Sequence, residues 1–81
     1  MDPKEIAALI EQNLEGAIAV VETDGMGHYE AHVCSPAFVG KRSLARHQLV
    51  YGTLGQRVGR EIHALAIKTY TPEEWEARGQ R

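Results

Sequence analysis

The sequence has one cysteine, three prolines, few aromatic residues and no long apolar run. A single cysteine excludes an internal disulfide framework and a zinc site made of cysteines alone, and it favours a reducing compartment. The longest mostly apolar run, residues 17–21, is far shorter than the roughly 18 to 20 residues of a membrane-spanning helix. The first residues also lack a secretory pattern. We therefore expect a cytoplasmic protein with no membrane role.

The chain has room for one small domain, since it contains only 81 residues. Its apolar content of 43% and charged content of 25% are near the globular average, which argues against a disordered or fibrous chain. We expect a single domain over residues 1–81, with residues 76–81 as a frayed tail. A domain of this size rarely encloses a deep catalytic pocket, and no acid/base dyad, nucleophile triad or phosphate-binding glycine loop is present. The sequence thus favours a binding module over an enzyme.

The first part of the chain predicts a helix and then a strand. Asp2 is positioned to cap the helix, Pro3 occupies its first turn and Glu5 completes a capping box. The helix is expected to end at Gly16. The β-branched residues that follow predict a largely buried strand over residues 17–23.

A hairpin and a second strand come next. Residues 24–27 contain two glycines that suit the positive φ angles of a turn. The strand over residues 28–34 alternates cleanly, so that Tyr29, Ala31 and Val33 share one face. We expect the other face to be open or functional; it carries His28, Glu30, His32 and Cys34.

A second helix is predicted from Leu44 to about Val58, with Ser43 as its cap and an end near Gly59. Its apolar stripe is expected to contain Tyr51 and Leu54 as well as Val58. The glycines within it disfavour a helix by about 1 kcal/mol each relative to alanine. Close packing on a neighbouring element is the interpretation that we favour.

A third strand and a short helix complete the predicted chain. Residues 62–69 have apolar side chains on both faces, which favours a strand in the sheet interior or beneath helices. Thr71 and Glu74 have capping-box spacing around Pro72, and Trp75 is the expected docking residue. The predicted fold is α+β, in the order α-β-β-α-β-α.

Positive charge is concentrated in the second half of the chain. Residues 41–60 contain five basic and no acidic residues, whereas the remaining residues have four basic and eleven acidic ones. This segment could be a solvated helix face, or it could contact an acidic protein surface or phosphate. Its candidate contact residues are Lys41, Arg42, Arg46, His47 and Arg57.

Three segments in order closely resemble the BolA family: Phe38-Val39-Gly40-Lys41, Arg46-His47-Gln48-Leu49-Val50-Tyr51, and the run from Glu61 through Ile62-His63-Ala64 to Pro72-Glu73-Glu74-Trp75. The resemblance implies a domain similar to the class II KH fold, with helices on one side of a three-stranded mixed sheet. It also implies that the segment 38–60 looks like a helix-turn-helix. A DNA-binding regulatory role is also described for BolA-like proteins, and a DNA-binding transcriptional regulator that uses the basic segment 38–60 is therefore the alternative expectation for this chain.

The resemblance further implies a non-enzymatic partner of a monothiol glutaredoxin, sharing a [2Fe-2S] cluster in cluster trafficking or iron and redox regulation. The family's C-terminal histidine matches His63, and its hairpin ligand matches His28. The glutaredoxin and a glutathione would supply the sulfur ligands, so no cluster is expected on the isolated chain. A homodimer is compatible with the sequence but is not required by it.

Residue spacing leaves other metal sites open. Residues two apart on a strand lie about 6.6 to 7 Å apart on one face, within reach of one ion. His32 and Cys34, together with His28, therefore offer an alternative mononuclear site. A purely structural role for each of these residues also remains compatible with the sequence.

Overall fold

The computed structural model describes residues 1–78, in which helices and strands follow the predicted order. The elements are α1 (Pro3–Asn13), β1 (Ile18–Thr23), β2 (His28–Cys34), α2 (Ser43–Leu54), β3 (Ala64–Tyr70) and α3 (Pro72–Arg78). A single 3-10 turn lies on each side of α2, at Pro36–Phe38 and at Gly55–Arg57. The predicted fold class, α+β with three helices and a three-stranded mixed sheet, is confirmed.

The sheet has the order β1-β2-β3, with β1 antiparallel and β3 parallel to the central strand β2. Of the two positions expected for the third strand, the sheet interior was wrong, because β3 is an edge strand, whereas the position beneath helices is supported by the packing of Leu65 and Ile67 against the core. Its side chains alternate, with Leu65 and Ile67 half-buried and Ala66 and Lys68 exposed. Small alanines on the exposed face account for the apparently two-sided apolar pattern.

The predicted start of α1 is confirmed in detail. The backbone N–H of Lys4 donates to the Asp2 carboxylate at 2.8 Å, and the backbone N–H of Asp2 donates to the Glu5 carboxylate at 3.1 Å. Two of the helix's unpaired N–H groups are thereby satisfied. The capped helix buries Ile6 and Ile10 completely.

The bounds predicted for the second helix were wrong at both ends. The N-cap position is Arg42, which makes no side-chain capping bond, and Ser43 is already helical. The helix ends at Leu54 because Gly55 has a φ of +60°, a conformation that terminates helices. It therefore does not continue to Gly59.

The packing predicted for this helix was also partly wrong. Its buried residues are Val50, Thr53 and Leu54, whereas Tyr51 is 41% exposed. A Cβ atom added at Gly52 would meet nothing within 4 Å, so close helix packing does not explain this glycine.

The core lies between one face of the sheet and the helices α1 and α2. Fully burying one large apolar side chain stabilises the fold by about 1.5–3 kcal/mol. The largest apolar side chains without exposed surface are Ile6, Ile10, Val33, Phe38, Val50, Leu54 and Ile62.

The predicted cap of α3 is present. The backbone N–H of Glu74 donates to Thr71 Oγ1 at 3.2 Å, and the N–H of Thr71 donates to Glu74 Oε1 at 2.8 Å. Trp75 is half-buried and packs edge-on against Tyr70, with ring centroids 5.3 Å apart. Residues 76–78 of the expected tail form the last turn of α3, and residues 79–81 lie outside the described residues. Over residues 1–78, no helix has the length and apolar character needed to span a bilayer.

Candidate functional site

The predicted metal ligands lie along one face of β2 and at its hairpin end. Pairing across the sheet places Glu22, Glu30 and Ala66 in one row and Val20, His32 and Lys68 in the next. We call this surface, opposite the core, the open face. Val20 is 47% exposed on it, whereas His32 and Cys34 are buried, so only part of this face is open as predicted.

His28 begins β2 and is held by the hairpin. Its Nδ1 atom lies 2.9 Å from Asp24 Oδ2, and the ring is largely exposed. This hydrogen bond, aided by one from the backbone N–H of Met26, lowers the pKa of Asp24 below its ordinary value. Because Nδ1 is engaged by Asp24, Nε2 is the His28 atom that is oriented to bind a metal.

His63 lies beside the same hairpin. The backbone N–H of Ala64 donates to the Gly27 carbonyl at 3.2 Å, which brings the residue before β3 against the turn. A Cβ atom at Gly27 would lie only 2.7 Å from His63 Cδ2. Since His28 pairs with Ala64, the structure brings His28 and His63 to the same end of the β2–β3 pair.

The structure does not assemble the alternative site of His28, His32 and Cys34. His28 and Cys34 are six residues apart on one strand, a separation of about 20 Å. Cys34 is only 4% exposed, and burial raises the pKa of its thiol, which disfavours the thiolate that binds metals.

His32 is grouped with two carboxylates instead. Its Nε2 atom lies 2.8 Å from Glu30 Oε2 and 4.0 Å from Glu22 Oε1. Its Nδ1 atom lies 3.3 Å from the Tyr70 hydroxyl. Sequence reasoning missed Glu22 and Asp24. Glu22 faces Glu30 through the β1–β2 register, and the alternation of β1 was the only signal that pointed to it.

The candidate contact residues of the basic segment fall into two groups. Lys41, Arg42 and Arg57 are exposed, whereas His47 is half-buried in α2. Arg46 is tied down: its guanidinium donates to Glu74 at 2.9 Å and to the Lys41 carbonyl at 2.8 Å. The Arg46 side chain therefore links α2 to α3.

The helix-turn-helix resemblance of segment 38–60 extends to one α-helix only. Within this segment α2 is followed by a 3-10 turn, and another 3-10 turn ends at Phe38. Two α-helices joined by a turn, as in a DNA-binding helix-turn-helix, are not formed by these residues.

The sequence of this chain is similar to those of known proteins. A family model described as BolA-like protein matches residues 7–74. The DNA-binding transcriptional regulator BolA of Vibrio cholerae is 47% identical over 53 residues, covering 65% of this chain and 50% of that protein. Human BolA-like protein 1 is 40% identical over 53 residues, covering 65% of this chain and 39% of that protein.

A solved structure is similar over almost the whole chain. A bolA protein homologue from Coxiella burnetii superimposes with a TM-score of 0.84 and 43% identity, covering 94% of this chain and 97% of that one. The matches to the curated relatives span about half of their length. Because the family model covers most of the chain and the sheet and helices coincide with those of a BolA structure, this chain belongs to the BolA family.

Proposed function

We propose that the chain is a non-enzymatic partner of a monothiol glutaredoxin and that it shares a [2Fe-2S] cluster with it through His63 and His28. The observation that carries the proposal is the position of these imidazoles, both exposed and both at the hairpin end of the β2–β3 pair. Exposed ligands at one edge of a domain suit a cluster that lies between two proteins.

The donor set is compatible with such a shared cluster. Imidazole binds iron, whereas a usual [2Fe-2S] cluster is held by four thiolates. The chain has one cysteine, and it is buried. His63 and His28 would hold one side of the cluster, and the glutaredoxin and a glutathione would supply sulfur ligands. A bound cluster would supply one-electron redox chemistry, and imidazole ligation raises its potential.

The residues around these histidines have supporting roles. Asp24 holds His28 Nδ1 and so fixes the direction of Nε2. Gly27 leaves room for the ring of His63. Lys41 and Arg42 are exposed cations before α2 that could dock an acidic surface of the glutaredoxin.

The test is to mix the apo-protein anaerobically with cluster-loaded monothiol glutaredoxin and record visible circular dichroism. We expect a new spectrum that is lost in His63→Ala and weakened in His28→Ala. Gln12→Ala, an exposed change on α1, serves as the matched control and should behave like the wild type. An unchanged wild-type spectrum without binding would overturn the proposal, as would a stable cluster on the isolated chain.

A second candidate is a DNA-binding regulator, because relatives from Vibrio cholerae and Escherichia coli are named DNA-binding transcriptional regulators. The basic residues that are exposed near α2 are Lys41, Arg42, Arg57 and Arg60. If all four contacted phosphates, log affinity would fall against log salt with a slope of about −3.6. The proposed experiment is a salt titration of duplex binding by fluorescence anisotropy. Weak binding without a salt slope would exclude this function.

A further inference from the structure

A cluster of three potential metal ligands lies on the open face, one row of the sheet away from His28. It consists of His32 and two carboxylates, Glu22 from β1 and Glu30 from β2. The ligand atoms all lie within 4.8 Å of one another. They are brought together by the β1–β2 register and by the side-by-side positions of Glu30 and His32 on β2.

From this geometry we infer a binding site for a divalent metal ion of the zinc class, held by His32 Nε2 and by the carboxylates of Glu22 and Glu30. Zinc binds imidazole and carboxylate at about 2.0–2.2 Å, so that tetrahedral ligand atoms lie about 3.3 Å apart. The His32 Nε2 atom lies 2.8 Å from Glu30 and 4.0 Å from Glu22. Small side-chain movements would bring both carboxylates to the required spacing.

The surroundings of His32 also suit a metal ligand. His32 is 92% buried by neighbouring residues, since only 8% of it is exposed. A metal-binding imidazole usually donates its second N–H to a nearby oxygen, which fixes the ring. The Tyr70 hydroxyl lies 3.3 Å from His32 Nδ1 and stands in that position. In the ion-free protein the 2.8 Å contact requires a proton on His32 Nε2, which donates to the Glu30 carboxylate; a bound metal would replace that proton, and the ring proton would then lie on Nδ1, toward the Tyr70 hydroxyl.

Space and charge beside the cluster favour a cation. Glu22 and Glu30 also line a depression of about 380 Å³ at the hairpin end of the open face, together with Asp24 and His28. The depression gives an ion access from solvent and room for a water or an external ligand as the fourth ligand. Lys68 has the same sign of charge as a metal ion, and its Nζ atom, 3.9 Å from Glu30 Oε2, competes with a metal for that carboxylate.

This site is separate from the histidines proposed for the shared cluster, so the two proposals can fail independently. The test is calorimetric titration of the full chain with zinc chloride in a His28→Ala/His63→Ala background, which removes the hairpin imidazoles. We expect one zinc ion per chain. Heteronuclear NMR should show the largest changes at His32 and Tyr70.

Two variants in that background test the ligand set in opposite directions. Glu22→Gln, at an exposed carboxylate, should weaken zinc binding by at least about tenfold. Lys68→Met should strengthen it by up to about fivefold, since a competing cation is removed. Glu15→Gln, an exposed change outside the cluster, is the matched control. Absence of zinc binding in the background protein, or equal affinity of Glu22→Gln and Glu15→Gln, would overturn the inference.

Discussion

Replacing Gly27 with alanine should displace His63, because the two residues are in direct contact at the hairpin. Gly27 has a φ of +86°, which costs an L-residue about 1–2 kcal/mol. The new Cβ atom would also lie 2.7 Å from His63 Cδ2. Turning the exposed imidazole away from its preferred rotamer adds about 0.5–1.5 kcal/mol. The total loss of unfolding free energy should therefore be about 1.5–3.5 kcal/mol.

Gly25→Ala is the matched control for this substitution. Gly25 has a similar φ of +82°, but a Cβ atom added there meets nothing within 4 Å. The Gly25→Ala variant should lose only about 1–2 kcal/mol of unfolding free energy, the cost of the positive φ alone. Urea denaturation measures both variants, and NMR of the imidazole protons reports the position of the His63 ring. The reasoning is refuted if Gly27→Ala costs no more than Gly25→Ala and leaves the His63 resonances unchanged.

Three further predictions concern the core, a helix cap and the thiol. Phe38→Ala should lower the unfolding free energy by about 3–5 kcal/mol in urea, because Phe38 is fully buried, whereas exposed Val39→Ala should cost less than about 0.5 kcal/mol. Thr71→Ala should cost about 1 kcal/mol, since it removes the acceptor of the Glu74 N–H; no loss in urea denaturation would contradict the cap. Burial raises the pKa of the Cys34 thiol, so folding favours its protonated form. The stabilisation that results is fully present below the pKa of the thiol in the unfolded chain and is lost as the pH rises through its pKa in the folded protein. Cys34→Ala should reduce the loss of unfolding free energy at alkaline pH, and a pH profile identical to that of the wild type would contradict this assignment.

The elements that the sequence predicted well are those whose signals are local. The capping box of α1 involves three neighbouring residues, and the alternation of β2 follows from strand geometry alone. The end of α2 was missed because the helical pattern contains three glycines, Gly52, Gly55 and Gly59, and the sequence does not show at which of them the helix ends. Gly55, with its positive φ, ends the helix one turn before Gly59.

The candidate site was only partly predictable for a related reason. His28 and His63 were identified through the family resemblance, and the structure adds that Asp24 and Gly27 fix their surroundings. Glu22 needed the pairing of β1 with β2, which composition and periodicity do not specify. Clusters formed across strands are therefore harder to read from sequence than clusters along one strand.

The arrangement of positive charge bears on the choice between a protein partner and DNA. Arg46 is paired with Glu74 of α3, and the exposed cations of segment 41–60 lie in two pairs, Lys41 with Arg42 before α2 and Arg57 with Arg60 after it. The 12 residues of α2 separate the pairs by about 18 Å. An extended phosphate backbone could contact both pairs, whereas the glutaredoxin proposal assigns docking to Lys41 and Arg42 only. In the glutaredoxin proposal, His63 and His28 hold the cluster and Lys41 and Arg42 supply the docking charge, whereas the DNA function uses the cations at both ends of α2.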